Sequence, residues 1–213
     1  MILPVSFYSR STLKVLEDLI GKVLVRKSED GLTSGVIVEA EAYTGDDDPA
    51  SYAFSGRTKR SEIMYGPPGR AFVHFTYGMH HMLNLVTERE EFPAAILIRA
   101  LEPREGISLM KKRRQTEELF NLCSGPAKIC QAFGIDRSHH GALLFSSRSP
   151  IFINEGVRKE ERERTEEVER TEERERREKG KGELIWTSRI GIQQGKERLW
   201  RAYLKGSPFI SVK

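Results

Sequence analysis

The chain has 213 residues, 38% of them hydrophobic and 31% charged, which is typical of a folded, water-soluble protein and excludes a chain that is disordered throughout. Its formal net charge of +4 favours a polyanionic partner, although a basic surface without any partner would give the same value. The sequence has no run of about 18 apolar residues that could span a membrane, and its N-terminus lacks the pattern of a signal peptide. We therefore expect a cytoplasmic protein, associated with the nucleoid if its source is prokaryotic.

One segment consists almost entirely of charged residues. Residues 158–181 hold ten Lys or Arg and ten Asp or Glu, so the segment is neutral and the rest of the chain carries the whole positive charge. The hexapeptide RTEEVE (164–169) is followed by a near copy, RTEERE (170–175). Because such a sequence buries no apolar face, we predict a charged insertion at about 157–182 in a single domain that spans residues 1–213. The insertion is either disordered or an exposed helix, and a role in binding a partner protein stays open.

The first part of the sequence predicts a helix followed by a β-hairpin. Leucines recur at helical spacing after Ser11, and Gly21 marks the end of this helix. KVLVR (22–26) and TSGVIVEAEAY (33–43) are the predicted strands on either side of a turn. A polar loop (45–60) follows them.

The remainder of the chain alternates strands, turns and short helices. The predicted strands are 70–78 and 94–103, the predicted helices are 104–114 and 125–135, and the C-terminal segments RIGI, LWRAYLKG and SPFISVK are predicted to form strands and turns. Strands in the middle of the chain with helices around them predict an α+β domain.

Two carboxylates and a phenol occupy alternate positions in VIVEAEAYTG (36–45). Side chains on a strand alternate between its faces, so Glu39, Glu41 and Tyr43 are expected to project together. Ile37 is expected on the same face, while the valines and alanines between these residues suit a core. Taken alone, the pattern favours the solvent-facing side of an edge strand, and its functional signal is weak.

The segment RAFVHFTYGMHHMLN (70–84) contains a predicted strand that ends at Gly78. Phe72 and His74 share one face of this strand. Tyr77 immediately precedes the glycine, where a turn exposes a side chain. The alternative is that these aromatic side chains belong to the core.

Arg99 interrupts the apolar strand AILIRALEP (95–103). A buried arginine requires a partner, and a carboxylate is the natural one. Glu41 and Glu39 are the two candidates.

Six motifs can be placed in chain order: KVLVRKSEDGLTSG, VEAEAYTG, FVHFTYGMHHMLN, ILIRALEP, GPAKICQAFGI and GSPFISV. Together they resemble the alkyladenine (3-methyladenine) DNA glycosylase family, over nearly the whole chain except the charged segment. The resemblance implies a single α+β domain with a curved, mainly antiparallel β-sheet flanked by short helices. It also implies a base-excision repair enzyme that flips and hydrolytically removes alkylated or deaminated purines such as 3-methyladenine, 7-methylguanine, hypoxanthine and ethenoadenine.

The resemblance assigns the catalytic chemistry to a few positions. Glu41 matches the glutamate that activates a water molecule, and Arg99 matches the arginine that helps to hold this water. A backbone carbonyl near the RIGI segment also contacts the water in the family, which points to Ile190.

The resemblance also assigns the base pocket and the wedge. Tyr43 matches one wall of the pocket. Tyr52 falls where the family usually has a histidine that stacks on the base, and His74 falls where it usually has a tyrosine, so both positions keep a planar ring. Asn84 matches the asparagine that excludes normal guanine. Tyr77 resembles the wedge that enters the duplex in place of the flipped base.

The expected partner is double-stranded DNA. Contacts to its phosphates are predicted for a set of basic residues: Arg57, Lys59, Arg60 and Arg70, with the KKRR run (111–114) as a further candidate. For any single one of them, a solvated surface charge is the better interpretation. The motifs that supply the pocket residues, VEAEAYTG, FVHFTYGMHHMLN and ILIRALEP, contain no lysine, so we predict a monofunctional enzyme that leaves an abasic site. We expect a monomer. The exchange of ring types at Tyr52 and His74 supports one alternative, a catalytically silent nucleic-acid-binding module of the same fold.

We expect no cofactor and no metal. The adjacent pairs His80–His81 and His139–His140 lack the spacing of a zinc site, and a role in structure or at the surface is the better interpretation. The two cysteines are expected to be reduced thiols.

Overall fold

The computed structural model describes residues 1–76, 78–156 and 182–211, so Tyr77 and residues 157–181 of the predicted insertion lie outside the described residues. The helices of the described residues are α1 (Val5–Tyr8), α2 (Thr12–Leu19), α3 (Ile107–Arg114) and α4 (Pro126–Phe133). The strands are β1 (Val23–Ser28), β2 (Gly31–Thr44), β3 (Ala71–Thr76), β4 (His80–Val86), β5 (Ala94–Pro103), β6 (Ile151–Asn154), β7 (Leu184–Thr187) and β8 (Arg201–Leu204).

The eight strands of the described residues form one curled sheet in which the pairings are antiparallel. The principal strand order is β3-β4-β5-β2-β1-β6, and β8 pairs with both β2 and β7. β2 is the centre of this arrangement. One of its edges pairs with β5, and the other is divided between β1 and β8. The α+β fold with a curved, mainly antiparallel sheet is confirmed.

The register between β2 and β5 is interrupted beside Glu39. Val38 on β2 and Arg99 on β5 have no partner in the ladder, because a register shift occurs on each side of Glu39. Bulges of this kind re-aim the neighbouring side chains. Ile37 packs in the main hydrophobic core with Ala40, so its predicted place on the face of the glutamates is wrong.

The main core lies between the sheet and the helices. α2 packs on β2, and α4 packs on β4 and β5. Leu16, Ile98 and Phe133 are fully buried members of this core. Alternate residues of β3 join different clusters: Val73 belongs to the main core and Phe72 to a smaller one. The two faces of β3 therefore lie on the main core and on a cavity that Phe72 lines.

Several local predictions require correction. α2 begins directly after Ser11 as predicted, but Leu13 is exposed and Val15 takes its place in the core. The solvent-facing edge strand expected for the glutamates is wrong, because β2 has paired strands on both edges. Sequence periodicity does not reveal α1, β4, β6 or β7, which are short or begin with polar residues. Within the described residues of the three C-terminal segments, only LWRAYLKG contains a strand, β8.

Two further features complete the fold. Within the described ranges, no helix combines the length and the apolar character needed to cross a bilayer. Cys123 and Cys130 are free, buried thiols. Burial raises the pKa of each thiol to about 12, so both stay protonated and unreactive at neutral pH.

Candidate active site

Glu39 on β2 is fully buried and binds two arginines. Its Oε1 accepts hydrogen bonds from Nε of Arg201 at 2.8 Å and from Nε of Arg99 at 3.3 Å. Ser211 donates to Oε1 through its hydroxyl at 2.8 Å and to Oε2 through its backbone N–H at 2.5 Å. Because a buried carboxylate is tolerated only when it is paired and hydrogen-bonded, these contacts explain how Glu39 can lie inside the protein.

Glu41 lies two residues further along β2 and is also fully buried. Its Oε2 accepts from the hydroxyl of Tyr43 at 2.8 Å and from Nη1 of Arg99 at 3.1 Å. Its Oε1 accepts from the backbone N–H of Ile190 at 2.7 Å. An ionised carboxylate offers about four acceptor positions. Among the described residues three of them are used, so the remaining one is on Oε1.

The guanidinium of Arg99 therefore connects the two glutamates. Nε faces Glu39 and Nη1 faces Glu41, so both carboxylates that were candidates for pairing with this arginine do pair with it. With Arg201 included, two buried guanidinium groups balance two buried carboxylates. Charges that compensate each other in this way can share a water-excluded site.

Tyr43 donates from a phenol that stays protonated. Burial raises the pKa of Tyr43 well above 10.0, and the neighbouring Glu41 carboxylate raises it further. The hydroxyl is therefore a permanent donor to Glu41 at physiological pH.

A second buried ion pair fixes the segment that carries Ile190. Nη1 and Nη2 of Arg189 donate to the two carboxylate oxygens of Asp48 at 2.6 and 2.7 Å, and both side chains are fully buried. Nη1 also donates to the backbone oxygen of Ala42 at 3.0 Å. The guanidinium carbon lies 4.7 Å from the centre of the Tyr43 ring. Arg189 thus holds the polar loop, β2 and the Tyr43 ring against one another.

A cavity of about 350 Å³ opens beside this network. Its size falls in the range of about 300–1,000 Å³ that is usual for small-molecule sites. Six residues that the sequence assigned to the site line it, namely Tyr43, Tyr52, His74, Asn84, Arg99 and Ile190. Apolar side chains complete the wall, among them Met64, Phe72, Met82, Leu97 and Ile192. Glu41 lies one layer behind this lining, bonded to three of its members.

Three rings pack together at one side of the cavity. The ring centres of Tyr52 and His74 lie 5.0 Å apart at an angle of 81°, and those of Phe72 and His74 lie 5.1 Å apart at 43°. Arg60 donates to the hydroxyl of Tyr52 at 2.6 Å and covers the face of its ring. Edge-to-face and cation–π contacts of this kind fix ring orientations, so the wall is pre-formed.

His74 and Asn84 are bonded to each other within the wall. Nδ2 of Asn84 lies 3.1 Å from Nδ1 of His74 and 3.2 Å from the backbone oxygen of Phe72. Burial, and to a smaller extent the positive charges of Arg60 and Arg137, lower the pKa of His74 to about 4. The imidazole is therefore neutral at physiological pH.

The basic residues assigned to DNA phosphates have different surroundings. Lys59 is exposed, and Arg60 is exposed beside Tyr52. Arg57 is exposed but forms an ion pair with Glu91 at 2.8 Å. Arg70 is half-buried, and its Nε is sealed without a partner among the described residues.

Three side chains of the KKRR run pair with other residues of this protein. Lys111 pairs with Glu117, Arg113 with Asp30, and Arg114 with Gln131.

The predicted wedge, Tyr77, lies outside the described residues. On either side of it, Phe75 is 47% exposed and Met79 is 69% exposed. The rings of Phe75 and His81 pack at 5.0 Å across the two strands.

The histidine pairs have no metal-binding geometry within the parts of the chain that the structure describes, where no cluster of three or more suitable ligands occurs. His139 completes a capping box with Asp136. Nδ1 of His140 donates to the backbone oxygen of Val73 at 2.9 Å, since a carbonyl only accepts.

Two other depressions of the surface lack the features of a catalytic site. One of about 550 Å³ lies along α3 and is lined by side chains such as Lys111, Lys112 and Glu117. The other, of about 430 Å³, is lined by Leu13, Trp186 and Leu199, among others. Neither of these two depressions is lined by one of the buried carboxylates.

Sequence reasoning did not identify four residues that hold the site in place: Asp48, Arg189, Arg201 and Ser211. Asp48 is one of three consecutive aspartates in a polar loop, and Arg189 lies in an irregular segment, so no periodicity marks either as buried. Arg201 begins β8 and lies between apolar residues in the sequence LWRAYL, much as Arg99 does within β5. The same argument about buried arginines could have found it.

Comparison with known proteins gives a family for this chain. The profile of the family described as Methylpurine-DNA glycosylase (MPG) matches residues 6–208. A relative from Carboxydothermus hydrogenoformans is 40% identical over 213 residues and 100% of both chains. Relatives from Prosthecochloris aestuarii and Clostridium acetobutylicum are 39% and 38% identical, over 96% and 97% of this chain and 88% and 95% of their own. All three are provisionally named 3-methyladenine DNA glycosylase.

The curled antiparallel sheet holds the buried carboxylate of Glu41 behind a cavity that is partly lined by aromatic rings. The chain belongs to the methylpurine-DNA glycosylase family. The resemblance drawn from the sequence motifs is thereby confirmed, and so is the enzyme class, a DNA N-glycosylase that acts in DNA repair.

Proposed function

We propose that this protein flips damaged purine nucleotides out of double-stranded DNA and hydrolyses their N-glycosidic bond, leaving an abasic site. The proposed substrates are 3-methyladenine, 7-methylguanine, hypoxanthine and ethenoadenine. One observation carries the proposal. Glu41 is a buried carboxylate with one free acceptor position, bonded to three residues that line the cavity.

The cavity walls suit an extruded purine. A base inside a duplex is inaccessible, so the nucleotide must leave the stack at a cost of a few kcal/mol, which is smaller for a damaged pair. Tyr43, Tyr52 and His74 line the cavity, and we propose that the rings of Tyr43 and Tyr52 stack on the base. Stacking on such rings contributes about 1–3 kcal/mol per base and offsets much of this cost. Asn84 is proposed to crowd the exocyclic amine of guanine, and Tyr77 to fill the gap in the duplex.

The chemistry requires a negative charge beside the sugar. Cleavage of the N-glycosidic bond develops positive charge on the sugar ring, as in glycoside hydrolysis. In the proposed mechanism Glu41 stabilises this charge and accepts the proton of the attacking water, while Arg99 holds the carboxylate and the water. Alkylated purines already carry a positive charge and leave without a general acid. Neutral hypoxanthine lacks this advantage, so we expect it to be released more slowly.

The attacking water is proposed to bind at the free position on Oε1 of Glu41. Glu41 has no exposed surface and the N–H of Ile190 already contacts Oε1, so we propose that the water enters beside Ile190. We propose that entry of the nucleotide shifts the segment 189–192 enough to admit the water, and that the carbonyl of Ile190 helps to hold it. Catalytic contacts often reach their final geometry only in the complex.

The enzyme is proposed to be a monofunctional monomer that contacts DNA phosphates through Arg57, Lys59 and Arg60. A lyase step would need an amine in the pocket to form a Schiff base. Among the described residues that line the cavity, none is a lysine.

The test uses duplexes that each carry one of the four damaged purines, with an undamaged duplex as the control. We expect free base to be released and the strand to break only after alkali or heat. Breakage without either treatment would contradict the monofunctional assignment. Tight binding without release of any base would favour the catalytically silent module instead.

A further inference from the structure

The amide of Asn84 has its orientation fixed by a neighbour that can only accept. The backbone oxygen of Phe72 lies 3.2 Å from Nδ2 of Asn84, and a carbonyl oxygen has no hydrogen to donate. The atom that faces it must therefore be the amide nitrogen. The second hydrogen of this nitrogen serves the bond to Nδ1 of His74 at 3.1 Å. Nδ1 is thus the acceptor, and the single proton of the neutral imidazole is on Nε2.

The Nε2–H group of His74 opens to the cavity. His74 lines the cavity, and in the described part of the chain Nε2 has neither a hydrogen-bond partner nor a place among the sealed polar atoms. Tyr52 and Phe72 pack against the ring at 5.0 and 5.1 Å between ring centres. Because the ring is held on these sides and through Asn84, the direction of the N–H group is fixed before any ligand enters.

The neutral state of His74 determines whether the cavity tolerates a positively charged ligand. The ring is buried, and Arg60, Arg137 and His140 lie near enough to disfavour a further positive charge. A neutral donor tolerates an alkylated purine that is itself cationic, whereas an imidazolium would repel it.

We infer that His74 is a specificity-determining residue, whose fixed Nε2–H donates a hydrogen bond to a ring nitrogen or carbonyl oxygen on the edge of the flipped base. This inference rests on the proposed function and refines it. The pocket prefers damaged purines that keep an unalkylated acceptor on the edge facing His74. A purine with C–H at that position leaves the donor unpaired and binds more weakly.

The first test measures binding rather than base release, because the rate of release also depends on how labile the N-glycosidic bond of each substrate is. Glu41→Gln protein is titrated with duplexes that carry hypoxanthine or an analogue in which N3, N7 or O6 is replaced by C–H or hydrogen. We expect one analogue to bind about three- to tenfold more weakly than hypoxanthine. The added substitution His74→Phe should remove this ratio, whereas His81→Phe, the same change at a ring outside the cavity, should preserve it. The ratio in question is the dissociation constant for an analogue duplex divided by that for the hypoxanthine duplex. The inference is overturned if this ratio is the same with and without His74, or if it equals one for every analogue.

The second test needs no substitution and no activity. ¹⁵N NMR of the full chain reports which ring nitrogen of His74 carries the proton, and we expect Nε2 to be protonated and Nδ1 bare at pH 7. An Nδ1–H tautomer or an imidazolium overturns the inference. An active enzyme with unchanged binding ratios refutes the role of His74 alone. A protein that keeps the tautomer and the ratios but releases no damaged base refutes only the proposed function.

Discussion

Nη1 of Arg99 donates to Oε2 of Glu41 at 3.1 Å, although Glu41 has no exposed surface and Arg99 almost none. The bond fixes one oxygen of the carboxylate and leaves a free acceptor position on the other. Arg99 reaches this place because it is the unpaired residue of a bulge in β5. The geometry of the strand pairing therefore determines which oxygen is available to water.

Glu39 is expected to act as a positioning residue for Arg99. In Glu39→Gln the shape is kept but Arg99 and Arg201 lose a shared anion, so the guanidinium can move relative to Glu41. We expect the single-turnover rate of base release to fall by about 10²-fold, as a small misplacement can cause. The dissociation constant for damaged DNA should stay nearly unchanged. Ser211→Ala, which removes one bond and no charge, is the control and should have a much smaller effect. An unchanged rate in Glu39→Gln would show that the contact serves folding alone.

Tyr43 combines two roles that substitutions can separate. Tyr43→Phe removes the hydroxyl bond to Glu41 and keeps the ring, so kcat should fall about tenfold or more while KM changes little, because a bond to a charged group is worth about 1.5–3 kcal/mol. Tyr43→Leu also removes the ring face and should raise KM. Steady-state kinetics on one alkylated duplex distinguish the two. A higher KM with unchanged kcat in Tyr43→Phe would contradict this division.

Stability should depend on pH through His74. Its pKa of about 4 in the folded protein lies below the value of 6.5 expected in the unfolded chain, so the unfolded chain binds more protons between these two values. The stability that this group contributes is present above pH 6.5 and is lost as the pH falls towards 4, by roughly 3 kcal/mol at most. Urea unfolding between pH 7 and 4.5 should show wild type losing more stability than His74→Phe. Parallel losses would mean that the ring is not buried in the neutral form.

The buried pair of Asp48 and Arg189 should support the fold and the site together. Asp48→Asn leaves the Arg189 charge without its partner, and breaking a buried pair in this way costs about 3–5 kcal/mol. Asp47→Asn is the matched control, because Asp47 is exposed and its pair with Arg198 should contribute at most about 1 kcal/mol. Urea unfolding of both variants measures the difference. Similar losses in the two variants would be inconsistent with the burial of Asp48.

Local patterns predicted the residues whose positions depend on local geometry. The two-residue period of a strand placed Glu39, Glu41 and Tyr43 on one face, and the need to pair a buried charge gave Arg99 its carboxylates. The position of Ile37 failed because the bulge at Val38 is set by the pairing with β5. That pairing is not visible in the sequence of β2.

Contacts between distant segments lay beyond sequence reasoning. Asp48 and Arg189 are 141 residues apart and show no shared pattern. The resemblance to a family supplied Tyr52 and His74, while periodicity alone could not bring these rings to 5.0 Å from each other. The tautomer of His74 depends on a single backbone oxygen, that of Phe72, and no sequence signal carries it.

The most direct test of the account compares wild type with Glu41→Gln on a duplex that contains an alkylated purine. The amide keeps the size of the side chain and can still accept from Ile190, but it is not a base. We predict that single-turnover base release falls by about 10²–10⁴-fold, the range typical of a lost general base, while the dissociation constant for the same duplex stays within about threefold. Equal rates of base release in the two proteins would contradict the claim that Glu41 takes the proton from water.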